Sequence, residues 1–570
     1  MKKSKNNTMP TRYLLYSVVY ITCIMLVMLA FVACGSSTED DSEVTATPAQ
    51  GTTVREDFDA ESQGTSGNPI ITSIFTADPS AHVWPSDPYR LFLYPSQDMF
   101  PPQGCDLMDR YHVFSTRNMV DWVNHGEIIR RADIAGGPGS IESWAPMTPG
   151  DNGTFMWAPD AFYNDAHPYG WGPYFFIFPV ALGPTGSGPG TWNDTWKLGI
   201  AHSNRPEGGF LDNPVVYLTD HEGNPVFGGG HYIDPSVFYD STSGYHYLVV
   251  GGSAAMRVAR LAPDMISLAE PWTIFEGGTA RVANGLNYFH EGPWMFSRVN
   301  DSGDKIYYVM YAADRHPDVS GGRLAYATSL YGPHGPWTFG GIILGPATGD
   351  TNHGSIVEFP LGSGEWYLFY HTNVLSMGQD TLRSSSVERL FFNADGSIQP
   401  VTQTSEGVTA VGPPESPEYL DRRFGAGNWT IEMRSHEFFA GLDTGFDGFE
   451  YHQTYLASGD NVRVHLAEVL EHTGAVHNLH IADSYVEFTN VDGGAGGIVV
   501  LKVNYGTPNG GLAQITVNGE TEYVLRAPDS GGWEDFTGAS VVQISVMPGS
   551  TNTIRIGGMA MNVLGISIYK

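Results

Sequence analysis

From about residue 68 onward, apolar residues come in short bursts and rarely at helical spacing. YRLFLYPS, YFFIFPVA, YHYLVVGG, IYYVMYAA and WYLFYHT are strongly apolar runs bounded by Gly, Pro, Asn or Asp. Runs of this length between turn residues predict strands. The pattern is that of an all-β protein.

Each of these runs follows a similar opening. TADPSAHVW (76–84), MWAPDAFYN (156–164), YIDPSVFYD (232–240), HEGPWMFSR (290–298) and TNHGSIVEF (351–359) place a polar residue near Pro, Gly or Ser, then a short alternating strand. Third strands follow as KLGIAHS, MRVARL and RLAYATS. The openings at 78, 157, 234, 291 and 353 recur about every 60 to 80 residues, a spacing suited to four-stranded blades. Five units predict a five-bladed β-propeller domain over 68–415, its repeats ending near 405. A sandwich with coincidental spacing is the alternative. Beyond PPESPEYLDRR, the strands YVEFTNV, GIVVLKVNY, AQITVNG and NTIRIGG alternate with Gly and Asn turns. They predict a β-sandwich over 416–570.

The chain has 570 residues, enough for more than one core. Its net charge is −32, and no basic cluster occurs beyond the extreme N-terminus, which excludes a nucleic-acid binder. Lys2, Lys3 and Lys5 precede an apolar run from Tyr13 to Ala33, then Cys34 and an acidic, Ser- and Thr-rich stretch. Residues 1–34 read as a signal segment with Cys34 as a lipidation site, and 35–67 as a flexible tether. A plain signal peptide and an uncleaved anchor are the alternatives, and all three export the protein. Cys105 then remains alone, so no disulfide framework exists, and it reads as a small buried residue.

First strands of blades line a propeller's channel. The openings therefore bring Asp78, Trp157 with Asp160, Asp234, Glu291 and His353 towards one axis. Carboxylates held close together push one another's pKa values apart, which separates an acid from a base. Glycoside hydrolysis needs such a pair. The aromatic neighbours of Glu291 in YFHEGPWM suggest an acid with a raised pKa.

ADPSAHVW, WAPDAFY, IDPSVF, EGPWMF, NHGSIV and RSSSVERLFFNADGSI resemble, in order, the motifs of glycoside hydrolase family 43 over residues 68 to 402. That family comprises five-bladed propellers acting on arabinose- and xylose-containing plant polysaccharides with inversion. The resemblance implies Asp78 as general base, Glu291 as general acid and Asp234 as the carboxylate that tunes the acid. An inverting pair stands ~6.5–9.5 Å apart. Arg383 matches an arginine that contacts substrate and carboxylates; an ion pair with Glu388 is its alternative. His353 matches a histidine deep in the channel that in many members reaches a Ca2+ ion through water; core hydrogen bonding is the alternative. Trp157 is either a wall for the sugar or blade packing. Asp106 and Asp109 in CDLMDRYH receive no role.

TIEMRSHEFF, YVEFTNVDGGAGG, SGGWEDF, NTIRIGG and MNVLGISIY resemble a family 6 carbohydrate-binding module, a β-sandwich that binds glycans on aromatic platforms. Trp533 matches one platform aromatic and Asn562 a sugar-bonding amide. Met433 and Arg434 follow Glu432 where a second glutamate is usual, and Leu564 replaces the closing aspartate, which argues against Ca2+ there. The second platform aromatic has no counterpart, with Leu479 or His480 in its place.

These resemblances imply an extracytoplasmic hydrolase releasing α-L-arabinofuranosyl groups from arabinoxylan, xylan or arabinan. The alternatives are an exo-acting β-xylosidase, an endo-arabinanase and a non-catalytic surface glycan-binding lipoprotein. The membrane is reached only through the lipid anchor.

Overall fold

The computed structural model describes residues 64–100, 104–131, 154–182, 196–228, 232–252, 255–277, 284–313, 321–349, 351–440, 450–481 and 483–570. All lie in the unit Glu56–Lys570. Cys34 and most of the 35–67 tether lie outside the described residues. Among the described residues no helix is long and apolar enough to cross a membrane.

The chain is all-β. Each opening forms the first strand of one antiparallel sheet: Thr76–Val83, Asp160–Tyr163, Ser236–Asp240, Glu291–Val299 and Gly354–Glu358. Each apolar run forms the second strand, such as Leu91–Gln97 beside Thr76–Val83 and Lys305–Ala312 beside Glu291–Val299. The five first strands touch one another in cyclic order, the fifth against the first.

An apolar cluster fills every junction between neighbouring sheets. Trp84 and Tyr94 meet Phe176 and Phe178, and Ile177 and Leu198 meet Val237 and Leu248. Phe238 and Val249 meet Met295 and Val309, and Phe296 and Tyr308 meet Ile356 and Leu368. Leu91 and Phe114 then meet Tyr367 and Phe369, which closes the cycle. These strands are buried on both faces, so they read as continuous apolar runs instead of strict alternation. Each fully buried Phe, Leu or Val contributes about 1.5–3 kcal/mol. The segment entering the first sheet also seals the cycle: Asn68 Nδ2 donates to Val387 O and Glu388, and the Ile70 amide to Ser385 O.

Residues 417–432, grouped with the second domain on sequence, pack against the first sheet. Ser416 caps the helix Pro417–Phe424 by accepting the Tyr419 amide, with Pro417 opening its first turn. Leu420 and Phe424 bury against Val123. Thr430–Ile431 adds a strand beside Val123 and Asn124. Beyond it, a six-stranded and a five-stranded sheet enclose one core, including Phe488, Leu501, Ile515, Ile544, Ile556 and Ile566. Val524 donates its amide to Ser73 O, and Val524 and Phe438 pack with Phe75 and Leu382, joining these sheets to the first and fifth sheets.

Candidate active site

The starts of the first strands converge on a cavity of about 170 Å³ lined by Asp78, Cys105, Asp106, Trp157, Asp234, Glu291, Thr351, His353, Asp380 and Arg383, among others. The three carboxylates expected from sequence thus face one space, together with His353, Arg383 and Trp157.

Asp78 and Asp234 occupy equivalent D-P-S turns, and both have left-handed backbones, with φ of 50° and 51°. Such a conformation costs a non-glycine residue about 1–2 kcal/mol, and strain of this kind clusters where side-chain direction matters. The Asp78 amide donates to His371 Nδ1 (3.2 Å). His371 Nε2 therefore carries the proton and donates it to Thr351 O (3.0 Å). Burial holds His371 neutral, its pKa down at about 3.

The Asp78 carboxylate accepts the Ser96 hydroxyl (2.6 Å) and Arg383 Nη1 (3.1 Å). Burial alone pushes its pKa up. Arg383, joined by the Ser96 hydrogen bond, outweighs that and brings it to about 2. Asp78 is therefore held as a carboxylate at neutral pH. Asp234 shows the opposite balance. Burial, reinforced by Glu291 and Asp78, drives its pKa well above the usual carboxylate range, although the Gly292 amide donates to it (3.0 Å). The same cavity thus lowers the pKa of one carboxyl and raises that of its neighbour, as environments do where carboxylates share acid–base work.

The Gly292 hydrogen bond also ties Asp234 to the backbone of Glu291. Gly292 has φ 61°, and a Cβ there would stand 3.1 Å from the His353 ring. Only glycine fits both demands. The aromatic neighbours of Glu291 do not surround its carboxyl, contrary to the expectation from YFHEGPWM. Phe289 turns into the cluster between the third and fourth sheets, and Trp294 into that between the fourth and fifth. Trp294 donates its indole N–H to Ile356 O. These rings fix the strand, while the cavity near Glu291 is lined by Trp157, Ile233 and His353.

Trp157 lines the cavity and also packs against Trp196 at 4.5 Å, donating Nε1 to Asp106 O (3.3 Å). Arg383 pairs with Asp78 and Asp98, not with Glu388. Glu388 instead receives Asn68, Thr404 and Tyr370. Asp160, also in an opening, has no place in the cavity. It accepts Ser80, His82 and the Val237 amide, pinning the first three sheets together. Cys105 is a half-buried wall residue, and its thiol, pushed up to about 12 by burial, stays protonated.

His353 Nδ1 stands 3.7 Å from Asp78 and 3.9 Å from Asp234. Among the described residues no group of three or more His, Cys, Asp or Glu could hold a metal ion. Beside it, Asn352 Nδ2 is buried without an acceptor among the described residues. It is a donor and suits a water oxygen, not a cation. These residues do not provide a direct Ca2+ site.

In the C-terminal sheets Trp533 is 44% exposed, while Asn562 is buried and donates Nδ2 to Trp533 O (2.7 Å). Leu479 belongs to the core, which leaves exposed His480 as the surface residue of that pair. Glu432, matched to the module's opening, is committed elsewhere. It accepts the Thr72 and Ser73 amides, the Ser73 hydroxyl and Asn124 Nδ2.

Sequence reasoning missed Ser96, Asp98, His371 and Asp380. Ser96 and Asp98 left a faint signal, two polar residues at strand spacing ending the apolar run LFLYPSQD.

A buried carboxylate cluster of this form belongs to the hydrolases of glycosidic bonds. Residues 66–398 match the model of glycosyl hydrolases family 43. The chain belongs to that family and is a glycoside hydrolase. It is 31% identical to a xylosidase/arabinosidase 43A of Humicola insolens, over 59% of this chain and 99% of that protein. It is 30% identical to a xylosidase/arabinosidase of Bacteroides ovatus, over 58% of this chain and 95% of that protein. An arabinoxylan arabinofuranohydrolase of Bacillus subtilis is 26% identical over 82% of this chain and 84% of its own length.

Proposed function

We propose that this protein is an inverting, exo-acting α-L-arabinofuranosidase on arabinoxylan- or arabinan-type plant polysaccharides, built as a five-bladed β-propeller with a C-terminal β-sandwich resembling a carbohydrate-binding module. Asp78 is the general base that activates water, Glu291 the general acid that protonates the leaving oxygen, and Asp234 the group that controls Glu291. The cyclic contacts among the five sheets support the propeller, and the two sheets around one core support the sandwich.

The observation that carries this function is the cavity itself. Among the described residues it encloses about 170 Å³, room for one sugar unit beside the three carboxylates. An endo enzyme needs several subsites on the glycone side of the cleaved bond, where an exo enzyme needs one. A relative matched over 82% of this chain is named an arabinoxylan arabinofuranohydrolase. Exo-β-xylosidase action is the second reading, favoured by the two relatives named for both sugars. The reading of residues 1–34 as a signal segment with Cys34 lipidated supports an extracytoplasmic enzyme, where such polymers are met.

The test is incubation with arabinoxylan, arabinan and xylo-oligosaccharides, with the released sugar and its anomer followed by NMR. Arabinose released singly with inversion is the expected result. Xylose release establishes the second reading, oligosaccharide products exclude exo action, and a retained anomer excludes the two-carboxylate inverting scheme.

A further inference from the structure

Strand Leu91–Gln97 brings two polar groups to the channel. Ser96 reaches Asp78, and two residues on, Asp98 reaches Arg383. The Asp98 side chain is fully buried and takes three donors from this one residue: the backbone amide (2.6 Å), Nε (2.9 Å) and Nη2 (2.7 Å). Only the other edge of the guanidinium meets Asp78, through Nη1 (3.1 Å) and Nη2 (3.4 Å). Nη1 has no acceptor but Asp78 among the described residues, and Arg383 lines the cavity.

We propose that Asp98 is the positioning residue for the catalytic base: it fixes the plane of Arg383 and shares its charge, so that Asp78 is oriented by the arginine without being neutralised by it. The physical need is plain. A base must be ionised, yet must accept a proton from water in the transition state. A guanidinium committed to Asp78 alone would hold that carboxylate too firmly as the anion. Divided between two carboxylates, the same cation leaves the set with one net negative charge. The bidentate fork to Asp98 also prevents Arg383 from swinging into the cavity, where it would take the space of the sugar. Asp98 touches neither the cavity nor the sugar, so its effect must run through Arg383.

This inference rests on the assignment of Asp78 as base, and the experiment separates the two. Wild-type turnover of an aryl pentoside tests the assignment of function; ratios among variants test Asp98. Asp98→Asn is expected to lower kcat about 10²-fold with KM changed less than about twofold. In an Arg383→Met background the same substitution should change kcat less than about threefold, because its route is already cut. An equal factor in both backgrounds, or a rise in KM with kcat unchanged, overturns the proposal. If Asp98→Asn does not fold, Asp98→Glu retains the charge and moves the carboxylate by one methylene. A fall in kcat of about tenfold or more at constant KM then supports the proposal, and a wild-type kcat overturns it. A crystal structure of the folded variant gives a readout independent of activity: Arg383 still at hydrogen-bond distance from Asp78 in its original plane also overturns it.

Discussion

The channel and the face around Trp533 both carry family motifs, and the fold treats them differently. In the channel, residues from all five sheets converge, and Asp78, Asp234 and Arg383 are each held by neighbours. Arg383 bridges Asp78 and Asp98, Asp234 takes the Gly292 amide, and His371 holds Asp78 by its backbone. Around Trp533, one ring stands in solvent, and the amide expected to meet a sugar holds that ring's own loop instead. A buried polar network is costly to leave half satisfied, so its members act as a unit. An exposed ring contributes alone. Substitutions in the two regions should therefore differ by orders of magnitude.

The largest effect belongs to Glu291→Gln. It keeps the shape and removes the proton, and kcat on a natural pentoside should fall about 10²–10⁴-fold. With a good aryl leaving group the loss should be much smaller, because protonation then matters less. Equal losses on both substrates would assign Glu291 to structure. Gly292→Ala should come close behind, through the His353 ring and the displaced amide to Asp234. A loss of about 10²-fold is expected from misplacement alone, and wild-type kinetics would show that the tight turn is not needed.

The next effect concerns pH. Burial, with the charges of Glu291 and Asp78 beside it, raises the pKa of Asp234 well above the usual carboxylate range, so activity should fall as pH rises through the titration of Asp234. Asp78, at about 2, should give no acid limb in the range where the protein is folded. Stability follows the same signs. The lowered pKa of Asp78 stabilises the fold above its unfolded value of 3.8, and that contribution is lost as pH falls towards 2. Glu388, raised to about 7 by burial, does the reverse. Its contribution is full below 4.5 and is lost as pH rises through about 7. Glu388→Gln should flatten the thermal midpoint between those limits, and an unchanged slope would place its origin elsewhere.

Much of this was legible in the chain. The five openings carry polar residues at fixed offsets from apolar strands, and that spacing is imposed by the fold, so Asp78, Asp234, Glu291 and His353 group together on spacing alone. Asp98 and His371 were not legible, because they serve the site from second strands whose neighbours are set by sheet pairing. Asp160 shows the converse error. It sits in an opening, but its carboxylate is taken by Ser80, His82 and Val237. The aromatic run around Glu291 misled for a related reason. Phe289 precedes the strand Glu291–Val299 and Trp294 follows a break in its register, so the two rings belong to two different cores.

The smallest effect should come from Trp533→Ala. Its ring is half in solvent, the second platform aromatic has no counterpart in the chain, and His480 occupies that surface position. A single sugar face stacked on one ring contributes of the order of 1 kcal/mol, or about fivefold in affinity. Turnover of a soluble aryl pentoside should be unchanged, because Trp533 does not line the catalytic cavity. Retention on insoluble arabinoxylan, measured by depletion from the supernatant, should weaken a fewfold. A loss of a hundredfold or more would mean that the face carries a multi-residue glycan site comparable in cooperation to the channel. No change would mean that these two sheets serve mainly to brace the first and fifth sheets, through the contacts of Val524 and Phe438 with Phe75 and Leu382.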